Sequence, residues 1–105
     1  MNARITTTAH NTPKKIMTNH DLEKLVDTSD EWIQSRTGIA QRHIAGKDEA
    51  SSDISTRIAE QLLDKRGISA EEIDLIIIGT VTPDHFTPST AAIVQKNIGA
   101  KNAWG

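Results

Sequence analysis

Apolar positions along this chain follow two different periods. From Ser51 to Arg66, Ile54, Ile58, Leu62 and Leu63 recur at helical spacing, and Gly67 follows as a stop. The longest helix is therefore expected over 51–66. Ser69, Ala70, Glu71 and Glu72 then form a capping box ahead of a short turn. Residues 74–80 (DLIIIGT) switch to a continuous β-branched apolar run. That pattern predicts a strand buried on both faces of a parallel sheet. A long helix leading into such a strand is half of a βαβ unit.

The other segments carry weaker patterns. Residues 4–9 (RITTTA) are rich in β-branched side chains and predict a strand. Residues 20–26 predict a short helix capped by Asn19 or Thr18, with Leu22, Leu25 and Val26 as its apolar face. Residues 46–50 are polar and predict a loop, as do 81–87 with Pro83, Asp84 and Pro88. Thr87 is placed to cap the next helix, with Pro88 at its first position. Ala91, Ala92, Val94 and Ile98 give that helix its buried face, and Gly99 stops it. Residues 101–105 look like the start of another strand. No repeat or low-complexity segment appears. A buried parallel strand needs cover on both faces and neighbours on both edges, which these few elements do not supply. The expectation is an N-terminal section of a larger α/β protein.

The most informative stretch is 27–45, DTSDEWIQSRTGIAQRHIA. Thr28 to Glu31 fit a capping box, so a helix is expected with Thr28 as its N-cap. Asp30 and Glu31 favour its first turn and Arg36 its last, and Gly38 ends it. Thr28, Trp32 and Arg36 are spaced i, i+4, i+8, on or near one face. A hydroxyl, a flat aromatic plate and a planar cation in a row suit a purine nucleotide. The plainer reading makes Trp32 a core anchor with Arg36 lying over its ring. Both readings are open at this point.

Composition narrows the function classes. The charge is nearly balanced, with 12 Lys and Arg against 14 Asp and Glu in 105 residues, so nothing marks a nucleic-acid surface. There is no Cys, which excludes disulfides, thiolate metal sites and a thiol nucleophile within this sequence. His10, His20, His43 and His85 lack metal-ligand spacing, so no metal site is expected. Neither a phosphate loop nor a nucleophile elbow is present. No secretory h-region or membrane-length apolar run occurs, so a soluble cytoplasmic protein is the expectation.

The block D-T-S-D-E-W-I-x-x-R-T-G-I-x-x-R-H-I closely resembles the N-terminal signature of the β-ketoacyl-acyl carrier protein synthase III family. The likeness extends through Thr18, Asn19, Asp21, Leu22 and Glu23. It resumes at 74–79, at Thr82, Pro83 and Asp84, at Pro88, Ser89 and Thr90, and at 98–104. The resemblance implies the opening section of a thiolase-like α/β fold, with a mixed or parallel sheet and covering helices, and without a complete second domain. It implies a condensing acyltransferase of fatty acid synthesis, homodimeric when complete. Acyl-coenzyme A and malonyl-acyl carrier protein would be its substrates and no separate cofactor would be needed. By the same resemblance Trp32 would stack on the adenine of coenzyme A. Arg36 would bind its phosphates and flank the base, Thr28 would contact the nucleotide end, and Thr37 would lie beside the pantetheine entrance. Arg42 and His43 are read as structural.

The loop at 81–87 would contribute to the dimer interface and line the acyl pocket. Relatives place Phe directly before the proline matching Pro88. Here Thr87 stands there and Phe86 precedes it. Phe86 is read either as part of the pocket wall or as a loop anchor packed on the helix below. The first strand also departs from the pattern: Thr7, Ala9 and His10 replace the usual glycines, and only Pro13 keeps the turn. The nucleophilic Cys, with a His and an Asn, would follow Gly105, so no catalytic residue is expected within the sequence. Two alternatives remain: a related condensing enzyme with another primer or acceptor, and a non-catalytic module binding a nucleotide or a partner.

Overall fold

The computed structural model describes residues 2–105. It divides into two compact units, Thr12–Asp48 and a second made of the segment up to Asn11 together with Glu49–Gly105.

In the first unit, β1 (Lys15–Thr18) runs antiparallel to β2 (Gln41–Ile44), with Lys15 opposite Ile44 and Thr18 opposite Gln41. Neither strand was legible in the sequence, because KIMT and QRHI are too short and too polar to show a period. Thr18 ends β1 and caps α1 (Asn19–Glu23). Its Oγ1 accepts from the Asp21 N–H at 3.1 Å, and Asp21 Oδ2 accepts from the Thr18 N–H at 3.0 Å. This reciprocal box satisfies two orphan donors. The helix stops short of the expected Val26: Leu25 and Val26 lie in a turn closed on the Leu22 carbonyl and are exposed.

Helix α2 spans Asp30–Thr37. Its N-cap is Ser29, one residue later than expected from the Thr28 box. Ser29 Oγ accepts from the Trp32 N–H at 3.1 Å, which starts the helix at Asp30. Two adjacent hydroxyl residues both met the capping rule, and the one whose oxygen reaches an orphan N–H sets the start. Gly38 closes the helix at φ 69°, a left-handed conformation suited to glycine.

In the second unit, α3 is Ser51–Arg66, as its periodicity predicts, and Gly67 ends it at φ 63°. Ala50, before it, has no polar side chain to cap with. Asp53 Oδ2 instead reaches back to the Ala50 N–H at 2.8 Å. Asp84 then arrives from the loop after the apolar run. Its carboxylate accepts from the Ser52 N–H at 2.9 Å and from Ser52 Oγ at 2.5 Å. Ser51 Oγ donates to the Thr82 carbonyl at 2.7 Å. An anion at a helix N-terminus is favoured by the dipole and by the free N–H groups. The Ser52 hydroxyl, above all, holds the Asp84 carboxyl below its ordinary value of 3.8.

A 3-10 turn follows at Ala70–Glu72, with the Ser69 and Glu72 side chains completing the expected box. Helix α4 spans Thr90–Ile98. The expected cap at Thr87 is corrected: Ser89 Oγ accepts from the Ala92 N–H at 3.1 Å, and Pro88 precedes the cap after a cis peptide. Ala91 and Val94 of α4 are buried with Ala100 and Ala103. Gln95 Nε2 donates to the carbonyls of Ala100 and Ala103 at 3.2 and 2.7 Å, tying the following turn to the helix.

The two apolar segments expected as strands behave differently from expectation. Residues 4–9 pair with no other strand among the described residues, and Ile5 is exposed. Among the described residues the run 74–80 makes one parallel bridge, Leu75 with Trp104. Its bonds are Ile76 N–H to the Trp104 carbonyl at 2.8 Å and Trp104 N–H to the Asp74 carbonyl at 2.9 Å. A strand exists only where another strand offers a ladder, and composition alone cannot provide one. The run instead borders an apolar trough of about 350 Å³ lined by Ile58, Leu62, Leu75, Ile77, Val94 and Ile98, among others.

Two outcomes follow from these contacts. The uncovered trough and the open edge at Leu75 and Ile77 should make the 105-residue chain associate with itself. Light scattering should rise with concentration, and Ile77→Lys should reduce it; a monodisperse, reversibly two-state wild-type chain contradicts this. The second outcome concerns acid. A carboxyl whose pKa is lowered on folding stabilises the fold above its unfolded value and loses that contribution as pH falls through the folded one. The Ser52 amide should therefore keep its exchange protection from pH 8 to 5 and lose it below the ordinary aspartate value of 3.8. The Gly67 amide, bonded to the Leu63 carbonyl at 2.8 Å, should not follow it by the same mechanism. Equal pH responses at both amides would refute the Asp84 clamp.

Candidate functional site

The Thr12–Asp48 unit carries the stretch that the sequence singled out. Trp32 projects from the first turn of α2 and is 57% exposed, so it is not a core anchor here. The Arg36 guanidinium carbon lies 5.7 Å from the centre of its ring. That distance is within cation–π range. A hollow of about 340 Å³ opens beside the indole, lined by Asp27, Thr28, Ser29 and Trp32. Thr28 precedes the helix rather than capping it, yet it shares this hollow with Trp32. The structure thus brings together Thr28, Trp32 and Arg36.

Thr37 is placed differently. Its hydroxyl donates to the Ile33 carbonyl at 2.8 Å and accepts from the Ile39 N–H at 3.1 Å. It knits the end of α2 to the turn after Gly38 and does not line the hollow. Phe86 and Thr87 belong to the other unit and are both exposed. Phe86 is fully exposed, and with Ile78, Pro83, His85 and Ser89 to Ala91 it borders a hollow of about 230 Å³.

The support beneath α2 is polar. Asn19 is wholly buried. Its Nδ2 donates to Asp30 Oδ1 at 2.8 Å and to the Ile39 carbonyl at 2.7 Å. Its Oδ1 accepts from Arg42 Nη2 at 2.6 Å, and Arg42 Nη1 donates to the Met17 carbonyl at 3.2 Å. Asp30 also accepts from Gln34 Nε2 at 2.8 Å, and its own N–H donates to Glu23 Oε1 at 2.7 Å. The bonds from Gln34 first, and then Asn19, hold the Asp30 carboxyl below its ordinary value. The Asp30 N–H does the same for Glu23, and the Thr18 N–H for Asp21. His43 Nδ1 donates to the Pro13 carbonyl at 2.6 Å, which requires the proton on that nitrogen. The sequence offers Asn19 or Thr18 as the cap of α1, and Thr18 takes that role. For Asn19 the one signal was a polar residue between two short structured segments, and burial came only from the tertiary fold.

The arrangement offers an aromatic plate, a permanent cation and a hollow lined by the Asp27 carboxylate and the Thr28 and Ser29 hydroxyls. An exposed indole is a surface on which a base can stack, and a guanidinium fork matches phosphate oxygens.

No family model matches the chain. The chain is 58% identical over 106 aligned residues to the β-ketoacyl-acyl carrier protein synthase III of Chlorobaculum tepidum, covering 100% of this chain and 32% of that protein. It superposes on the crystal structure of 3-oxoacyl-acyl carrier protein synthase III from Aquifex aeolicus with a TM-score of 0.83 and 46% identity, over 92% of this chain and 31% of that one. It also matches a priming β-ketosynthase of the R1128 polyketide pathway with a TM-score of 0.82 and 28% identity, over 98% of this chain and 33% of that one. The α/β arrangement is accordingly part of a thiolase-like condensing-enzyme fold. By sequence and by fold the chain is a homologue of β-ketoacyl-acyl carrier protein synthase III, spanning about a third of the length of such a protein.

Proposed function

We propose that these residues form the N-terminal, coenzyme A-binding section of a longer β-ketoacyl-acyl carrier protein synthase III, cytoplasmic and homodimeric when complete. The observation that carries this reading is the exposed Trp32 with the Arg36 cation over its ring, beside the hollow that Thr28 lines. In the reaction a Cys thiolate beyond Gly105 attacks the thioester of acyl-coenzyme A, takes the acyl group and releases coenzyme A. Malonyl-acyl carrier protein then loses carbon dioxide, and the resulting carbanion displaces the thiolate to give a β-ketoacyl-acyl carrier protein. Trp32 stacks the adenine, Arg36 binds phosphate and Thr28 contacts the nucleotide end, while Thr37 stands nearer the pantetheine arm. Phe86 and Thr87 reach the acyl pocket and the dimer partner.

A second reading keeps the chemistry and changes the primer. The displaced aromatic at Phe86 favours it, as does the likeness to the R1128 priming ketosynthase. Sequence identity weighs toward the first reading.

In the full-length protein, Trp32→Ala should weaken acyl-coenzyme A binding by about 1–3 kcal/mol, the range for a base stacked on an aromatic. Arg36→Ala should also weaken it, more at low salt than at high salt. Calorimetric titration with coenzyme A checks both, and unchanged affinity in the two variants would remove the nucleotide face. The 105 residues alone should form no product from acetyl-coenzyme A and malonyl-acyl carrier protein, since they contain no thiol to hold the acyl group. Mass spectrometry showing an acylated chain or a β-ketoacyl product above a protein-free control would contradict that.

A further inference from the structure

A side-chain amide offers two N–H donors and one carbonyl oxygen, and Asn19 commits all three. One N–H goes to Asp30, the first residue of α2, and one to the Ile39 carbonyl just beyond its end, while the oxygen receives Arg42 from β2. The amide orientation is fixed by its partners: a carboxylate and a carbonyl accept, and a guanidinium donates. We propose that Asn19 is a positioning residue for the nucleotide face, pinning both ends of α2 so that Trp32 and Arg36 present a fixed clamp. The inference rests on the coenzyme A reading above and extends it to a residue that does not touch the ligand.

Helix α2 needs such a support. It has 8 residues, and Ile33 is the one buried among them. A helix that short is marginal in water, so its orientation comes from tertiary bonds rather than from propensity. Its cap at Ser29 is exposed and fixes where the helix starts, not where it points. Asn19 reaches both ends from a site with no solvent contact, where each bond is strong and each orphaned group costly. No other side chain supplies the same set. Aspartate has no donor and would set a second carboxylate against Asp30. Alanine would orphan the Ile39 carbonyl and one Arg42 donor. Glutamine carries an extra methylene into a filled site.

The test uses the full-length protein, free coenzyme A as probe in calorimetric titration, and acetyl-coenzyme A turnover. Asn19→Asp should weaken coenzyme A binding about tenfold, within the range for residues that share one network. The loss should fall on KM more than on kcat. Combining it with Asp30→Asn restores a donor–acceptor pair with the roles exchanged, so affinity should return to within about threefold of wild type. In a Trp32→Ala background Asn19→Asp should cost less than it does in the wild type, because of the clamp only Arg36 is left to orient.

Three results separate the possibilities. If Trp32→Ala and Arg36→Ala each leave affinity unchanged, the coenzyme A reading fails and the positioning role falls with it. If Trp32→Ala weakens binding but Asn19→Asp does not, adds fully to it, or is not rescued by Asp30→Asn, the positioning role alone is overturned. If Asn19→Asp does not fold, Arg42→Lys carries the test, since it keeps the charge and loses the fork. It should weaken coenzyme A binding about threefold, and wild-type affinity there overturns the proposal.

Discussion

One buried carboxamide governs the Thr12–Asp48 unit. A polar group without water must find every partner inside the protein, at a cost of about 1–3 kcal/mol for each group left unmet. Asn19 meets this demand by drawing together a strand residue, the first residue of a helix and the turn past its end. These are pieces that have little apolar surface to bury against each other. In so small a unit, directional bonds do the organising that a large apolar core does elsewhere. They tolerate few geometries, so the helix they hold is placed narrowly.

Carboxylates extend the same logic. Asp21, Asp30 and Asp84 each sit in or beside the opening turn of a helix, and each receives protein donors that lower its pKa. Glu23 spans the gap between α1 and α2 by accepting from the Asp30 N–H. The acids in a chain of net charge −2 are thus partly consumed as local fasteners.

What could be read from the sequence divides along physical lines. Helix α3 was legible end to end, because sixteen residues carry four turns of periodic apolar positions and a glycine stop. The starts of α2 and α4 slipped from Thr28 to Ser29 and from Thr87 to Ser89. Neighbouring hydroxyl residues satisfy the local rule equally, and only three-dimensional reach chooses between them. Strands β1 and β2 were invisible because pairing, not composition, makes them strands. The converse holds for 4–9 and 74–80, which have strand composition and little pairing. At the candidate site, spacing alone grouped Thr28, Trp32 and Arg36, and the structure brings them together. Thr37 turned out to face its own backbone. The burial of Asn19 was not legible, because nothing local to it says that its side chain is enclosed.

The Ser51 and Ser52 bonds to Thr82 and Asp84 give the loop before α4 a further property. They anchor the near side of that loop to α3, while Ser89 and Thr90 anchor its far side at α4. The residues between, His85 to Pro88, are spanned like the tip of a tool held in a fixed collet. Neither helix takes a cap or an end-anchoring bond from these four side chains, so a change at Phe86 or Thr87 leaves both helix starts held. The tip can thus be exchanged without touching the handle.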